Sequence, residues 1–487
     1  MNNYSSTPGS LEQELAEKAS RLAAQRPKRE RQLVDLTLTS IASGVVSHES
    51  EILRLMADNK GHSLSAVRET VVRELTAAAE GRLWCPEYVE RLRSDQPVMC
   101  YTGSHWQMVK PQQWKDFVSL CAAKCGVDES LRMNTTFMKL LFEGVAFNLA
   151  SNRHQAIPAD EVWLNMSNGT LVICSNGSVS LREHCKADLF RYTLPYSYDP
   201  QAECPRWQQF LDRVLPSADA LLLLAEYIGY SLMADHSLEK MLLLYGEGLN
   251  GKSVTLDVIE ALLGSVNVSY LSLSDLTNDD VKRAGIEHKM LNISHESGKD
   301  LNPNVLKQLT SGEPVMIKNL YRDPRETTDY GKLIAAFNIL PRAENSFGFF
   351  RRLLILPYQV TIPKQEIDRR LSAKLKEELP GILCWVLRVL PGLMSRREFS
   401  ACDISDQALE QYRLQSDNVR LFLSEACNPS EVPTPAADLY KSYRSYCQTA
   451  SLRPLGKIKF IERLEALGHD PVVNRRMKSF KLVALES

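Results

Sequence analysis

The sequence predicts an α/β core in the middle of the chain, with an α+β region before it and a small unit after it, and three observations lead there. Met241 to Tyr245 is a short apolar run of the buried-strand kind that leads into Gly246-Glu247-Gly248-Leu249-Asn250-Gly251-Lys252-Ser253. After that loop, Val254, Ile259, Leu262 and Leu263 recur at helical spacing. Two more strand-like stretches, 290–296 and 332–338, then alternate with helix-like ones, as strands and helices do in an α/β domain.

The loop has the pattern G-x-x-x-x-G-K-[ST]. Gly246, Gly248 and Gly251 let the backbone curl with its N–H groups aimed at phosphate oxygens. Lys252 adds a point charge for the β- and γ-phosphates, and the Ser253 hydroxyl is a ligand for Mg²⁺. Glu247, Leu249, Asn250 and Val254 complete the cradle, so ATP with Mg²⁺ is the expected ligand. The plain alternative is a glycine-rich turn that happens to contain Lys-Ser; the strand before it and the helix after it argue against that.

Composition sets bounds around this core. A chain of 487 residues predicts about three domains at ~150 residues each. With 44% hydrophobic and 24% charged residues it is ordinary globular material. A formal net charge of −1 excludes a globally basic nucleic-acid coat, so DNA contact has to come from local patches. Eleven cysteines are scattered and odd in number. Cys121 and Cys125 are close, but no second pair or His cluster completes a zinc site, and Cys204-Pro205 stands alone; reduced structural thiols of a cytosol are expected. No signal peptide and no apolar run near about 18 residues is seen, so neither secretion nor a membrane partner is expected.

Four regions follow in order. Residues 1–95 are polar and helical in pattern, with Leu15, Ala19 and Leu22 on one face and a charged run from Arg26 to Arg31 that reads as a solvated turn or a nucleic-acid contact. Residues 96–215 offer Trp106 in a strand-like stretch, a helix around Phe137 to Leu149, and a hairpin signal at Asn168-Gly169. Residues 216–398 hold the alternating core around the phosphate loop. Residues 399–487 form a small terminal unit.

Downstream of the loop stand the groups that a nucleotide hydrolase needs. The run from Met290 to Glu296 reads as a second buried strand ending in a carboxylate, the place for a base or a Mg²⁺ partner. Lys332 to Asn338 is a third strand whose terminal amide can orient an attacking water; a strand-end asparagine serving a turn is the structural alternative. Arg351-Arg352 precedes the apolar strand Leu353 to Leu356, and one of the two can reach a neighbouring subunit's γ-phosphate as a finger, or both are surface charges.

Taken in order, Gly246 to Ser253, Glu296, Lys307 to Glu313, Asn338-Ile339-Leu340-Pro341 and Arg351-Arg352 resemble the motif set of a superfamily 3 helicase. More closely, they resemble the helicase module of phage, plasmid and poxvirus-type primase-helicases. Upstream, Asn168 to Leu171, Tyr198-Asp199-Pro200, Cys204-Pro205, Trp207 and Glu226 to Tyr230 are similar to the domain before that motor. Downstream, Leu439, Tyr440, Tyr443, Phe460, Leu464, Leu467 and Gly468 are similar to its winged-helix end, so the resemblance covers roughly residues 96–487.

The resemblance implies an AAA+-like phosphate-loop ATPase core with a C-terminal winged helix, assembled as a ring, usually a hexamer, with ATP between subunits. It implies single-stranded DNA through the centre, forked DNA as substrate, and replication of a mobile element or virus in a bacterial cytosol or host compartment. A separate primase or initiator is then a partner. Two departures stand out. Relatives often carry two acidic residues at the end of the second strand where this chain has His295-Glu296, which leaves open whether Glu296 is base or metal ligand. Residues 1–95 are too short for a catalytic primase domain, so the chain reads as a helicase without its own primase.

Two surfaces fit DNA. From Val315 to Arg325, two strand-like arms around an Arg-Asp-Pro turn place Lys318 and Arg322 near a hairpin tip. From Arg453 to Lys481 basic residues outnumber acidic ones, and the helix Ile458 to Leu467 followed by the strand-like Phe480 to Leu485 suits duplex docking through Lys457, Lys459, Arg475 and Arg476, or else a protein contact. A replication initiator that melts an origin, a protein-remodelling ATPase and a static nucleotide-bound ring are the competing readings.

Overall fold

The computed structural model describes residues 32–57, 63–86, 98–151, 157–295, 301–320, 323–340, 347–450, 452, 454–474 and 477–484. Two compact units divide them: 1–172 with 179–198, and 173–178 with 199–487. Leu15, Ala19, Leu22 and the run Arg26 to Arg31 lie outside the described residues.

The first unit has a helical core. Val67, Val71 and Leu75, spaced four apart on the helix Ser63–Ala79, meet Phe117, Val118 and Cys121 of Pro111–Cys125 and Leu141 and Val145 of Thr135–Leu149. Asn134 caps the last helix by accepting from Phe137 N at 3.0 Å. A small antiparallel sheet, β1 (Leu83–Trp84), β2 (Val98–Tyr101) and β3 (Trp106–Val109), is ordered β1-β2-β3. A second sheet is ordered β4-β5-β6, from β4 (Glu161–Met166), β5 (Gly169–Cys174) and β6 (Val179–Arg182). The expected hairpin turns at Asn168-Gly169. There φ is +146° at Gly169 and a Cβ would sit 2.4 Å from Arg182 O, so only glycine fits.

The second unit is α/β. Its sheet is parallel and ordered β13-β7-β12-β9-β8, from β7 (Met241–Tyr245), β8 (Val268–Ser269), β9 (Leu291–His295), β12 (Lys332–Phe337) and β13 (Leu353–Pro357). Every residue of β12 is buried, which is why this strand after Lys332 and its neighbour β7 read as unbroken apolar runs rather than alternating ones, whereas β9 on its other side carries buried Asn292 and Ser294. Opposite Ala336 stand Leu244 on one side and His295 on the other, so β7, β12 and β9 end level at one edge. Tyr227, on the helix Ala218–Leu232, donates its hydroxyl to Leu333 O at 2.5 Å and docks that helix on the sheet. The helix Asp403–Ser416 lies along β13, where Ile355 N donates to Ser405 Oγ at 3.1 Å.

Two smaller pieces complete the unit. β10 (Val315–Ile317) and β11 (Arg325–Thr327) pair as an antiparallel hairpin. Near the end, β14 (Cys427–Pro435), β15 (Val472–Asn474) and β16 (Met477–Ala484) form an antiparallel sheet in the order β14-β16-β15. The helices Ala436–Thr449 and Lys457–Ala466 belong to the same terminal cluster, with Tyr443 stacked on Phe460 at 4.5 Å.

One expectation needs correction. Leu379–Arg396 spans 18 residues at mean hydropathy 1.2, which meets the length and composition of a membrane span. The helix breaks into Leu379–Leu387 and Leu390–Arg396, and half of it is buried. A Cβ on Gly229 would lie 3.2 Å from Leu390 and 3.5 Å from Val386, the close packing of core helices. The eleven cysteines are all free and most are buried, and burial pushes the Cys121 thiol up to about 12.

Candidate functional site

The loop 246–251 leaves β7 at the level edge and enters the helix Lys252–Leu263. Its shape is set from outside by the segment after β13. Tyr358 N donates to Tyr245 O at 2.6 Å, and Ile362 N donates to Leu249 O at 2.8 Å. A Cβ on Gly246, at φ +151°, would lie 2.2 Å from Tyr358 O, so the loop and this strap pass with no room for a side chain. Leu249 holds φ +61°, uncommon for a residue with a branched side chain, and its bond to Ile362 is what keeps it there. A Cβ on Gly248 would meet no protein atom within 4 Å. Packing therefore makes no demand for glycine at 248, and the open space leaves the backbone approachable by a ligand.

Lys252 is 7% exposed, an unusual place for an ammonium group. Its Nζ donates to Gly246 O, to Glu247 O at 3.0 Å, to Asn250 Oδ1 at 3.2 Å and to Asn338 Oδ1 at 3.3 Å. These acceptors are all neutral, so a phosphate oxygen is a better partner for the same charge. Asn250 is buried and its Nδ2 donates to Tyr358 O at 3.2 Å, which aims its carbonyl at Lys252. Lys252 and Asn338, 86 positions apart, thus meet at the leaving edge of the sheet.

A cavity of about 780 Å³ opens beside them, within the range of nucleotide-sized pockets. Residues 248–254 and Asn338 form one wall; Gln209, Phe210 and Arg213 of the helix Pro205–Val214 form another, and Ile362, Ile367 and Leu371 a third. Gly251, at φ +92°, sits against that helix: a Cβ there would be 2.9 Å from Val214 and 3.1 Å from the Phe210 ring. Ser253 is exposed in the first helical turn, where its hydroxyl fits a Mg²⁺ ion that takes most of its ligands from phosphate and water. Among the described residues no group of three or more His, Cys, Asp or Glu is placed to hold a metal ion.

The other expected residues fall elsewhere. Glu296 lies outside the described residues; β9 ends at His295, level with β12. Arg351 and Arg352 stand at the entering end of β13, away from the loop of their own chain. Burial, and then the neighbouring Arg351, lowers the pKa of the Arg352 guanidinium. Lys318 directly follows β10, its N–H bonded to Asp280 O at 3.0 Å, while Arg322 lies outside the described residues. Lys457 and Lys459 are exposed in the first turn of the helix Lys457–Ala466; Arg453, Arg475 and Arg476 lie outside. Sequence reasoning missed Tyr358, Phe210 and the aiming role of Asn250. Phe210 sits with Trp207 and Val214 in an amphipathic pattern that reads as plain core, and nothing local marks Tyr358.

Comparison with known proteins adds context. Residues 244–352 match a family of unknown function, DUF5906, and residues 97–216 match the family described as D5 N terminal like. A protein of Acanthamoeba polyphaga mimivirus named "Putative helicase" is 21% identical over 328 residues, which cover 57% of this chain and 33% of that protein. The chain thus spans about a third of the length of that curated relative. Two solved structures of the NrS-1 C terminal region, both apo and 11% identical, have TM-scores of 0.40, covering 65% of this chain and 94% of that one, and 0.46, covering 80% and 94%. The D5 N terminal like match and the mimivirus relative bear out the resemblance carried by the motifs: the chain is similar in kind to the primase-helicases of phages and viruses.

Proposed function

We propose that the chain is an ATP-dependent DNA helicase serving the replication of a virus or mobile element in a bacterial cytosol or host-cell compartment. On this reading the parallel sheet and its loop are an AAA+-like phosphate-loop motor, the terminal cluster is a winged helix, and the working form is a ring, a hexamer, on single-stranded DNA at a fork. A separate primase or replication initiator is a partner on this reading. The observation that carries the reading is the meeting of Lys252, Asn250 and Asn338 beside a cavity walled by the glycine loop.

The chemistry follows from those positions. Loop N–H groups receive the β- and γ-phosphate oxygens, and Lys252 exchanges its carbonyl acceptors for them. The Asn338 amide orients a water in line with the γ-phosphorus. Glu296 accepts that water's proton as the phosphorus–oxygen bond to ADP breaks, or else it completes the metal's ligand set. Ser253 would hold a Mg²⁺ ion through its hydroxyl, and that ion would supply charge neutralisation on the phosphate oxygens. An arginine of the Arg351-Arg352 pair serves the neighbouring subunit's nucleotide. Lys318 and Arg322 grip single-stranded phosphates, and Lys457, Lys459, Arg475 and Arg476 dock duplex.

The deciding experiment is ATP turnover by the full chain with and without single-stranded DNA, alongside Glu296→Gln. The expected result is DNA-stimulated hydrolysis that the variant loses while it still binds ATP. Hydrolysis indifferent to DNA would favour a protein remodeller, and binding without turnover a static ring.

A further inference from the structure

The two arginines ahead of β13 are held very differently. Leu353 lies opposite Met241 and Pro357 opposite Tyr245, so the pair stands one full strand away from the phosphate loop of its own chain. At about 3.3 Å per residue that is ~17 Å, beyond the reach of an arginine side chain.

Arg352 is 12% exposed and fixed by directed bonds. Its Nε and Nη2 donate to Ser311 Oγ at 3.1 and 2.7 Å, and its Nη1 donates to Gly348 O at 2.6 Å. These bonds join the end of the helix Pro303–Ser311 to the turn before β13. Arg351 is 43% exposed, and its guanidinium meets Glu239 Oε2 at 2.5 Å in an ion pair. That oxygen is buried and makes no directed hydrogen bond, so the attraction is one of charge alone.

Glu239 is itself an unusual residue. It holds φ +49° two positions before β7, a left-handed backbone that a non-glycine residue adopts only where its surroundings enforce it. Its N–H donates to His236 O at 2.9 Å, and Lys240 Nζ donates to Arg351 O at 2.5 Å. One carboxylate therefore serves two neighbouring cations, Arg351 at 2.5 Å and Arg352 Nη2 at 3.5 Å. Burial first, and then the Arg351 charge, lowers the pKa of Lys240.

We infer that Arg351 is the arginine that acts on the neighbouring subunit's nucleotide, that Arg352 is a structural brace, and that Glu239 is a holding carboxylate that parks the Arg351 guanidinium until a triphosphate draws it away. This rests on the motor reading above. With its guanidinium 43% exposed and no directed hydrogen bond to the carboxylate, the pair is weakly held, and a multiply charged phosphate outcompetes a single carboxylate for a guanidinium. Arg352 cannot make the same move without breaking three directed bonds.

The test compares Arg351→Ala, Arg352→Ala, Glu239→Gln and the Glu239→Gln/Arg351→Ala double variant in the full chain, reading ATP turnover against protein concentration, ATP affinity and Tm. Arg351→Ala should lower turnover on the order of 10³-fold with ATP affinity and Tm preserved. Arg352→Ala should lower Tm, with turnover recovering on cooling below the new midpoint. Glu239→Gln should raise turnover several-fold at limiting protein concentration, and the double variant should be as inactive as Arg351→Ala. Loss of turnover without loss of Tm in Arg352→Ala, or no rise in Glu239→Gln, overturns the assignment. If both arginine variants turn over normally the inference fails, yet an inert Lys252→Ala measured beside them leaves the motor reading standing; an active one removes that reading as well.

Discussion

The phosphate loop and the β10–β11 hairpin are both turns that carry cations, yet they are built on different principles. At the loop, Lys252 is buried and bonded to four acceptors, and the backbone around it is clamped by Tyr358 and Ile362. At the hairpin, the three-residue arm β10 is held at its middle by Arg283 Nη1 donating to Met316 O at 2.6 Å and at its turn end by Lys318 N donating to Asp280 O at 3.0 Å. Among the described residues the Lys318 charge has no comparable cage. On the proposed function, the difference matches what each partner would require. A reacting triphosphate needs donors fixed to fractions of an ångström, because stabilisation of charge in the transition state depends on preorganisation. A moving DNA strand needs charge at the right height, with freedom to let go.

That contrast can be broken most directly at Lys252. Lys252→Ala should lower ATP turnover by at least on the order of 10²- to 10³-fold while circular dichroism and Tm report an intact fold. Near-normal hydrolysis would mean that the caged ammonium is structural. A complementation assay comes next in size: Lys252→Ala mixed with an Arg351→Ala/Arg352→Ala double variant should recover a measurable fraction of turnover, since one subunit supplies the loop and its neighbour the arginine. Turnover per chain that is independent of concentration, with no recovery on mixing, would speak for a monomer.

The loop itself offers a sharper comparison. Gly246→Ala should both lower Tm and abolish ATP binding, because its Cβ collides with Tyr358 O at 2.2 Å. Gly248→Ala should leave Tm unchanged and weaken ATP binding, because its Cβ meets no protein atom and only a ligand would feel it. Equal effects on Tm at the two positions would show that the loop is not clamped as described. The smallest effect belongs to the hairpin. Lys318→Ala with Arg322→Ala should leave DNA-free hydrolysis in place, weaken single-strand binding and reduce the magnitude of its log–log salt slope by roughly 0.7 for each phosphate that is no longer neutralised. Normal unwinding by that variant would move the DNA-gripping surface elsewhere.

Much of this was legible because it is local. Strands β7 and β13, and β12 after Lys332, show as apolar runs since a parallel sheet covered on both faces buries almost every position, while β9 interleaves Asn292 and Ser294, which bond the segment 269–273. The loop is legible because G-x-x-x-x-G-K-[ST] is a contiguous pattern, although packing against Tyr358 and against Val214 and Phe210 also demands glycine at 246 and 251. Asn338 was legible as a strand end, though not as a partner of Lys252. Tyr358, Phe210 and Glu239 carried no signal, because each matters through a residue distant in sequence: Gly246, Gly251 and Arg351 respectively.

By itself the sequence determined which segments bury, where the chain turns and what ligand chemistry the loop favours. All of these follow from side-chain polarity and backbone freedom over a few neighbouring residues. The tertiary structure decided the strand order β13-β7-β12-β9-β8, and with it everything that depends on neighbours across the sheet. Inserting β12 between β7 and β9 brings Asn338 to Lys252, and laying β13 beside β7 places Tyr358 over Gly246 at one end and Arg351 beside Glu239 at the other. Parallel strands make such pairings only through long crossovers, whose partners are chosen by packing of the whole sheet rather than by any local run of residues.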